Sequence, residues 1–101
     1  MLAAAVLSAC PDLHLDTLGS FRITRDAATC PGPPLGFLLS VDGQSTNTEL
    51  FLAPGDSSNR FPANAGQHAF SAEVRSSDLK VKPVTATVIA KETITVLFTC
   101  G

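Results

Sequence analysis

Two histidines and three cysteines hold most of the reactive chemistry open to this chain. His14 alternates with Asp12 and Asp16, so an extended backbone places all three on one face. An imidazole between two carboxylates suits a divalent cation; the plainer reading is a solvated polar face. His68 shares parity with Phe70, Ala72 and Val74 and therefore points inward at the start of a strand. A histidine there caps the core edge and bonds a turn carbonyl; a functional role needs a partner that shifts its pKa. Asp42, Asn47, Asp56 and Asn59 fall in turns, where such side chains bond local backbone, and the acidic spacing of a calcium loop is absent. There is no Gly-x-Ser-x-Gly nucleophile turn, phosphate loop or dinucleotide fingerprint. Nor is there a zinc-ligand spacing of Cys and His. The expectation is a non-enzyme with no catalytic residue, metal or cofactor.

Cys10 stands apart from the other two cysteines. Before it lies the uncharged stretch Met1 to Ala9, apolar and then small. A secretory signal combines a basic start, an apolar run of about 7–15 residues and small residues at the cleavage point. The last two features are present and the basic start is missing. Leu7-Ser8-Ala9-Cys10 resembles the lipobox of bacterial lipoproteins. That resemblance implies acylation of Cys10, which becomes the new N-terminus and attaches the protein to a membrane. Stable anchoring takes more than one acyl chain, which the lipoprotein modification supplies. On this reading residues 1–9 are a truncated signal remnant, residues 10–19 a tether or weak first strand, and residues 20–101 the folded domain. The alternative for Leu2 to Leu7 is one helical turn or a first strand.

The rest of the chain must supply a scaffold, and its pattern is β. Phe21 and Ile23 alternate with Arg22 and Thr24, and Phe37, Leu39 and Val41 with Leu38, Ser40 and Asp42. Leu50 and Leu52 flank Phe51, and Val84, Ala86 and Val88 alternate with threonines. Ile94, Val96 and Phe98 do the same near the C-terminus. This period marks strands with one face on a core and one in water. Asp42-Gly43, Pro54-Gly55-Asp56, Ala65-Gly66 and Ala90-Lys91-Glu92 supply turns between them. Pro31-Gly32-Pro33-Pro34 is a stiff connector poor in N–H donors, excluded from a central strand. The spacing predicts an all-β fold, a single antiparallel β-sandwich of about seven strands, immunoglobulin-like or transthyretin-like.

Length and charge fit that fold. The chain has 101 residues, 45% hydrophobic and 16% charged, enough for one domain and too apolar for disorder. No apolar run approaches the roughly 18 residues of a membrane-spanning helix. Seven basic against nine acidic residues, with the basic ones scattered, exclude a phosphate-backbone partner, so no nucleic acid is expected. The core relies on six Phe with Leu, Val and Ile and has no Trp or Tyr.

A core this small gains from a covalent staple. Cys100 shares parity with Ile94, Val96 and Phe98 and points inward, while Cys30 precedes the proline-rich connector. A Cys30–Cys100 disulfide would close a loop of about 70 residues and contribute about 4 kcal/mol on the chain-entropy argument. The alternative is two free thiols acting as small buried hydrophobes. With Cys10 assigned to lipid, the odd cysteine count resolves into one anchor and one pair, which suits an oxidising compartment.

From Gly36 to Cys100 the chain resembles small extracytoplasmic bacterial β-sandwich modules of the PEGA-like and carboxypeptidase-regulatory-like kind. The residues that carry this are Gly36 to Gly43, Phe61, Gly66-Gln67-His68, Val84 to Val88 and Glu92 to Cys100. Two departures are visible: the turn before the last strand lacks the usual glycine, and no cysteine follows Arg75, which leaves Cys30 as partner for Cys100. The resemblance implies a non-catalytic binding or spacer role. The expected protein is an envelope-associated interaction module, lipid-anchored in the bacterial cell envelope, with an envelope protein or glycan as partner. Its rivals are a structural spacer without a specific ligand and a small secreted inhibitor presenting residues 31–35.

Overall fold

The computed structural model of the chain describes residues 17–75 and 77–101. The expected all-β sandwich is what the residues form. Among the described residues seven strands run in chain order: β1 (Leu18–Arg25), β2 (Leu35–Val41), β3 (Gln44–Leu52), β4 (Phe61–Asn64), β5 (Gly66–Val74), β6 (Val84–Val88) and β7 (Thr93–Phe98). One sheet has the order β4-β1-β7 and the other β3-β2-β5-β6. All ladders are antiparallel except β1 with β7, which is parallel and pairs Ser20 with Thr93 through to Arg25 with Phe98.

The period-two pattern meets in one core. Phe21 and Ile23 of β1 face Phe37 and Leu39 of β2, Leu50 and Leu52 of β3, and Phe70 and Val74 of β5, with Val88, Val96 and Phe98 closing the cluster. Phe21 bridges the sheets: its ring centroid lies 4.8 Å from that of Phe70 and 5.6 Å from that of Phe61. Tilted aromatic pairs at such spacing add to the gain from burial.

Turn chemistry sets the register. β2 and β3 join through Asp42-Gly43, with φ of 54° and 81° and Val41 opposite Gln44. Two left-handed residues in a two-residue loop match the twist of the flanking strands. Before β7, where the expected glycine is missing, Lys91 takes the left-handed position at φ 64°. Its N–H donates to the Leu18 carbonyl, and the Ser20 N–H donates to the Glu92 carbonyl, so this turn is sewn onto the start of β1.

Three elements differ from the sequence reading. β1 begins at Leu18, inside the segment read as a tether. β3 begins at Gln44, well before Leu50, and carries a register shift opposite Leu39 and Ser40, with Asn47 at φ 57°. β4, Phe61–Asn64, is a strand despite Pro62. It is tolerated because β4, among the described residues, is an edge that pairs with β1 alone, and a proline lacks only the N–H that an edge leaves unused.

Candidate functional site

Cys30 and Cys100 form the disulfide, with their Cα atoms 5.2 Å apart. Both are buried at the end of the sandwich where β1 and β7 finish. The same end holds a feature the sequence reading passed over. Arg25 follows Phe21 and Ile23 on the inward row of β1 and is wholly buried. Its guanidinium meets only backbone acceptors: Nε donates to the Cys30 carbonyl at 2.8 Å and Nη2 to that of Pro31 at 2.9 Å. Nη1 donates to the carbonyls of Pro33 at 2.9 Å and Leu52 at 2.6 Å. The guanidinium carbon also sits 5.4 Å from the Phe37 ring centroid, within cation–π range. Burying an ion costs several kcal/mol, and charge-assisted bonds from a planar fork offset that cost. The proline-rich connector is therefore exposed on its outside and held from within: Pro31 to Pro34 face solvent while two of their carbonyls serve Arg25.

At the other end the sandwich is open along one side. The short β6–β7 turn joins the sheets on one flank, whereas β4 and β3 are, among the described residues, unpaired edges on the other. Between those edges lies a cleft of about 360 Å³. Phe21, Leu39, Val41, Phe61 and Ala63 form its apolar walls, and Thr46 and Thr48 add hydroxyls.

His68 and Asp42 stand at its rim. His68 is inward, as its parity predicts, with its side chain 17% exposed against 52% for Asp42. Nδ1 lies 2.7 Å from Asp42 Oδ2, and Nε2 lies 2.8 Å from the Asn64 carbonyl. The turn-carbonyl contact was expected; the carboxylate partner was not. Asp42 is placed by its turn, with its N–H on the Ala69 carbonyl at 2.7 Å and its Oδ1 accepting the Ala69 N–H at 2.9 Å. The Asp42 carboxylate, and after it the Asn64 carbonyl, raise the pKa of His68 against the opposing effect of burial. Bonds from His68 and then from the Ala69 N–H lower that of Asp42. Both ring nitrogens are thus engaged, and neither is free to take a proton from a substrate.

The remaining candidates do not join this site. Cys10, Asp12, His14 and Asp16 lie outside the described residues, as do the signal remnant and most of the tether. Asp56 Oδ2 accepts the Ala53 N–H at 3.1 Å inside its own turn. The described residues hold no group of three His, Cys, Asp or Glu able to bind a metal ion. Exposed Phe51 lies on β3, Leu97 on β7 and Ile89 in the β6–β7 turn.

Comparison with protein-family models, with curated proteins and with solved structures finds no match to this chain.

Proposed function

We propose that the chain is a non-catalytic interaction module of the bacterial cell envelope, held to a membrane by lipid on Cys10. Its binding surface is the cleft between β3 and β4, and its partner is an envelope protein that inserts an apolar side chain. The observation that carries this is the cleft itself, a concave apolar surface beside an otherwise filled core.

The chemistry of the rim selects the kind of partner. A sugar needs polar groups with unused valence, but His68, the Asp42 carboxylate and the Asn64 carbonyl already bond one another or local backbone. An added strand needs free N–H groups on an edge. Pro62 has none, and the N–H groups of Asn47 and Thr48 are taken by the Ser45 and Thr46 hydroxyls. A side chain entering between the edges avoids both obstacles. The buried disulfide suits an oxidising compartment, and β1 starts at the cleft end. The inhibitor reading is weaker, because the loop at 31–35 turns the Pro31 and Pro33 carbonyls inward.

Two measurements test the proposal. Cys10→Ser, expressed in a bacterial host, should move the protein from membrane to soluble fraction; unchanged partitioning rejects the anchor. Indole titrated into the full chain should shift the amide resonances of Val41, Thr48 and Ala63 saturably. No saturable shift leaves the spacer reading, and a response to N-acetylglucosamine instead points to a glycan.

A further inference from the structure

The two bonds of His68 cannot both be made by a neutral ring. Asp42 Oδ2 and the Asn64 carbonyl are acceptors, at 2.7 Å and 2.8 Å from Nδ1 and Nε2. A neutral imidazole carries one N–H, so one contact would set lone pair against lone pair; an imidazolium carries two donors and satisfies both. The partners belong to different parts of the fold. Asp42 is in the left-handed turn between β2 and β3 of one sheet, and Asn64 ends β4 of the other.

We propose that His68 is a proton-operated latch: as imidazolium it ties the Asp42–Gly43 turn to the end of β4, and on deprotonation one tie is lost and the cleft loosens at that rim. The consequence for ligand access rests on reading the cleft as the binding surface; the latch itself does not. No other ionisable group among the described residues contacts the ring. β4 offers a carbonyl, β6 sets Ala86 opposite His68, β3 brings Thr46 and Thr48 to the cleft wall, and on β5 itself the neighbour is Phe70, with ring centroids 6.2 Å apart. The side chain that faces His68 with charge is Asp42.

The geometry also explains why the latch would be local. Asp42 keeps its backbone bond to Ala69 and its Oδ1 contact in either state of the ring. What changes is a side-chain link between the sheets, added at this corner to the covalent step through Ala65 that joins the end of β4 to the start of β5.

The test is a pH titration of the full 101-residue chain, labelled with ¹⁵N in histidine and followed through the ring nitrogens and the backbone amides. Below the His68 midpoint both of its ring nitrogens should be protonated, and that midpoint should lie above the ordinary value of about 6.5. The amides of Thr48, Phe61 and Ala63 should follow the same midpoint and lose it in His68→Gln. Asp42→Asn should lower the His68 midpoint. A singly protonated ring at pH 6, or cleft amides that ignore the ring, overturns the latch. Where a variant fails to fold by far-UV circular dichroism, the wild-type titration decides by the same criteria. An indole titration repeated on either side of the midpoint should give weaker saturation on one side. Absence of indole binding at every pH, with the ring titration intact, rejects the binding reading of the cleft and upholds the latch.

Discussion

Arg25 Nη1 donates to the Leu52 carbonyl at 2.6 Å, so an arginine on β1 is bonded through the core to the last residue of β3 in the opposite sheet. The same guanidinium holds the carbonyls of Cys30, Pro31 and Pro33. One side chain thereby sets the start of the proline connector, its course and its distance from β3.

Arg25→Met should lower the unfolding free energy by about 2–5 kcal/mol. The bonds to Cys30 and Leu52 are buried, and an unsatisfied buried carbonyl costs about 1–3 kcal/mol. The exposed Pro31 and Pro33 can regain water. Arg25→Lys should lose less, because an ammonium keeps charge and three donors but not the fork. Urea unfolding measures both, and a Met variant within about 0.5 kcal/mol of wild type would contradict the cage.

Cys30→Ser with Cys100→Ser removes a link of sequence separation 70. The expected loss is about 4 kcal/mol, chiefly through a less restricted unfolded chain. Thiol counting in denaturant should find Cys10 as the one reactive thiol in unlipidated wild-type protein. Three reactive thiols before reduction would exclude the bridge.

Stability should depend on pH from both sides. The pKa of His68 is raised from 6.5, so its contribution is full below that value and fades as pH rises through the higher folded value. Those of Asp42 and Asp26 are lowered from 3.8, by His68 and by the Thr29 hydroxyl, so their contributions are present above that value and fade as pH falls through the lower folded ones. The plateau from these groups lies between pH 3.8 and 6.5. Urea midpoints across pH should show it, and His68→Gln should flatten the alkaline limb. An alkaline limb identical in that variant would assign the loss elsewhere.

Gly19→Ala should destabilise the domain by about 1–3 kcal/mol, as overpacking does. A Cβ there would collide with the Ile89 carbonyl oxygen and lie 2.8 Å from Val88 Cγ1, and the backbone cannot swing aside. Gly36→Ala is the control: its Cβ would meet the end of the exposed Glu49 side chain, which can turn into water. Equal losses in the two variants would mean that β1 is not sewn to the β6–β7 turn as described.

Most of the scaffold was readable before the structure. The inward rows of β1, β2, β5, β6 and β7 follow from alternation, because a strand has only two faces. β4 was hidden by its length of four residues and its proline, which signal a loop when the pairing partner is unknown. Arg25 was visible as a charge on an inward row, since Phe21 and Ile23 share its parity. What hid it is that its acceptors are backbone carbonyls, and those leave no trace in residue type. The partner of His68 was hidden because Asp42 lies 26 residues away and looks like any turn aspartate.

Composition and alternation alone determined a one-domain β-sandwich, its inward rows and the inward placement of Cys100, since these depend on local period and burial. The resemblance of Leu7-Ser8-Ala9-Cys10 to a lipobox set Cys10 apart from the other two cysteines as an expectation. Tertiary structure alone decided that β1 pairs in parallel with β7, that Arg25 is caged by carbonyls, and that His68 joins Asp42 to Asn64 beside an open cleft, while it bore out the expected pairing of Cys30 with Cys100. The physical reason is that each of these joins residues distant in sequence, and which strands become neighbours is decided by packing two sheets together, not by the period within any one strand.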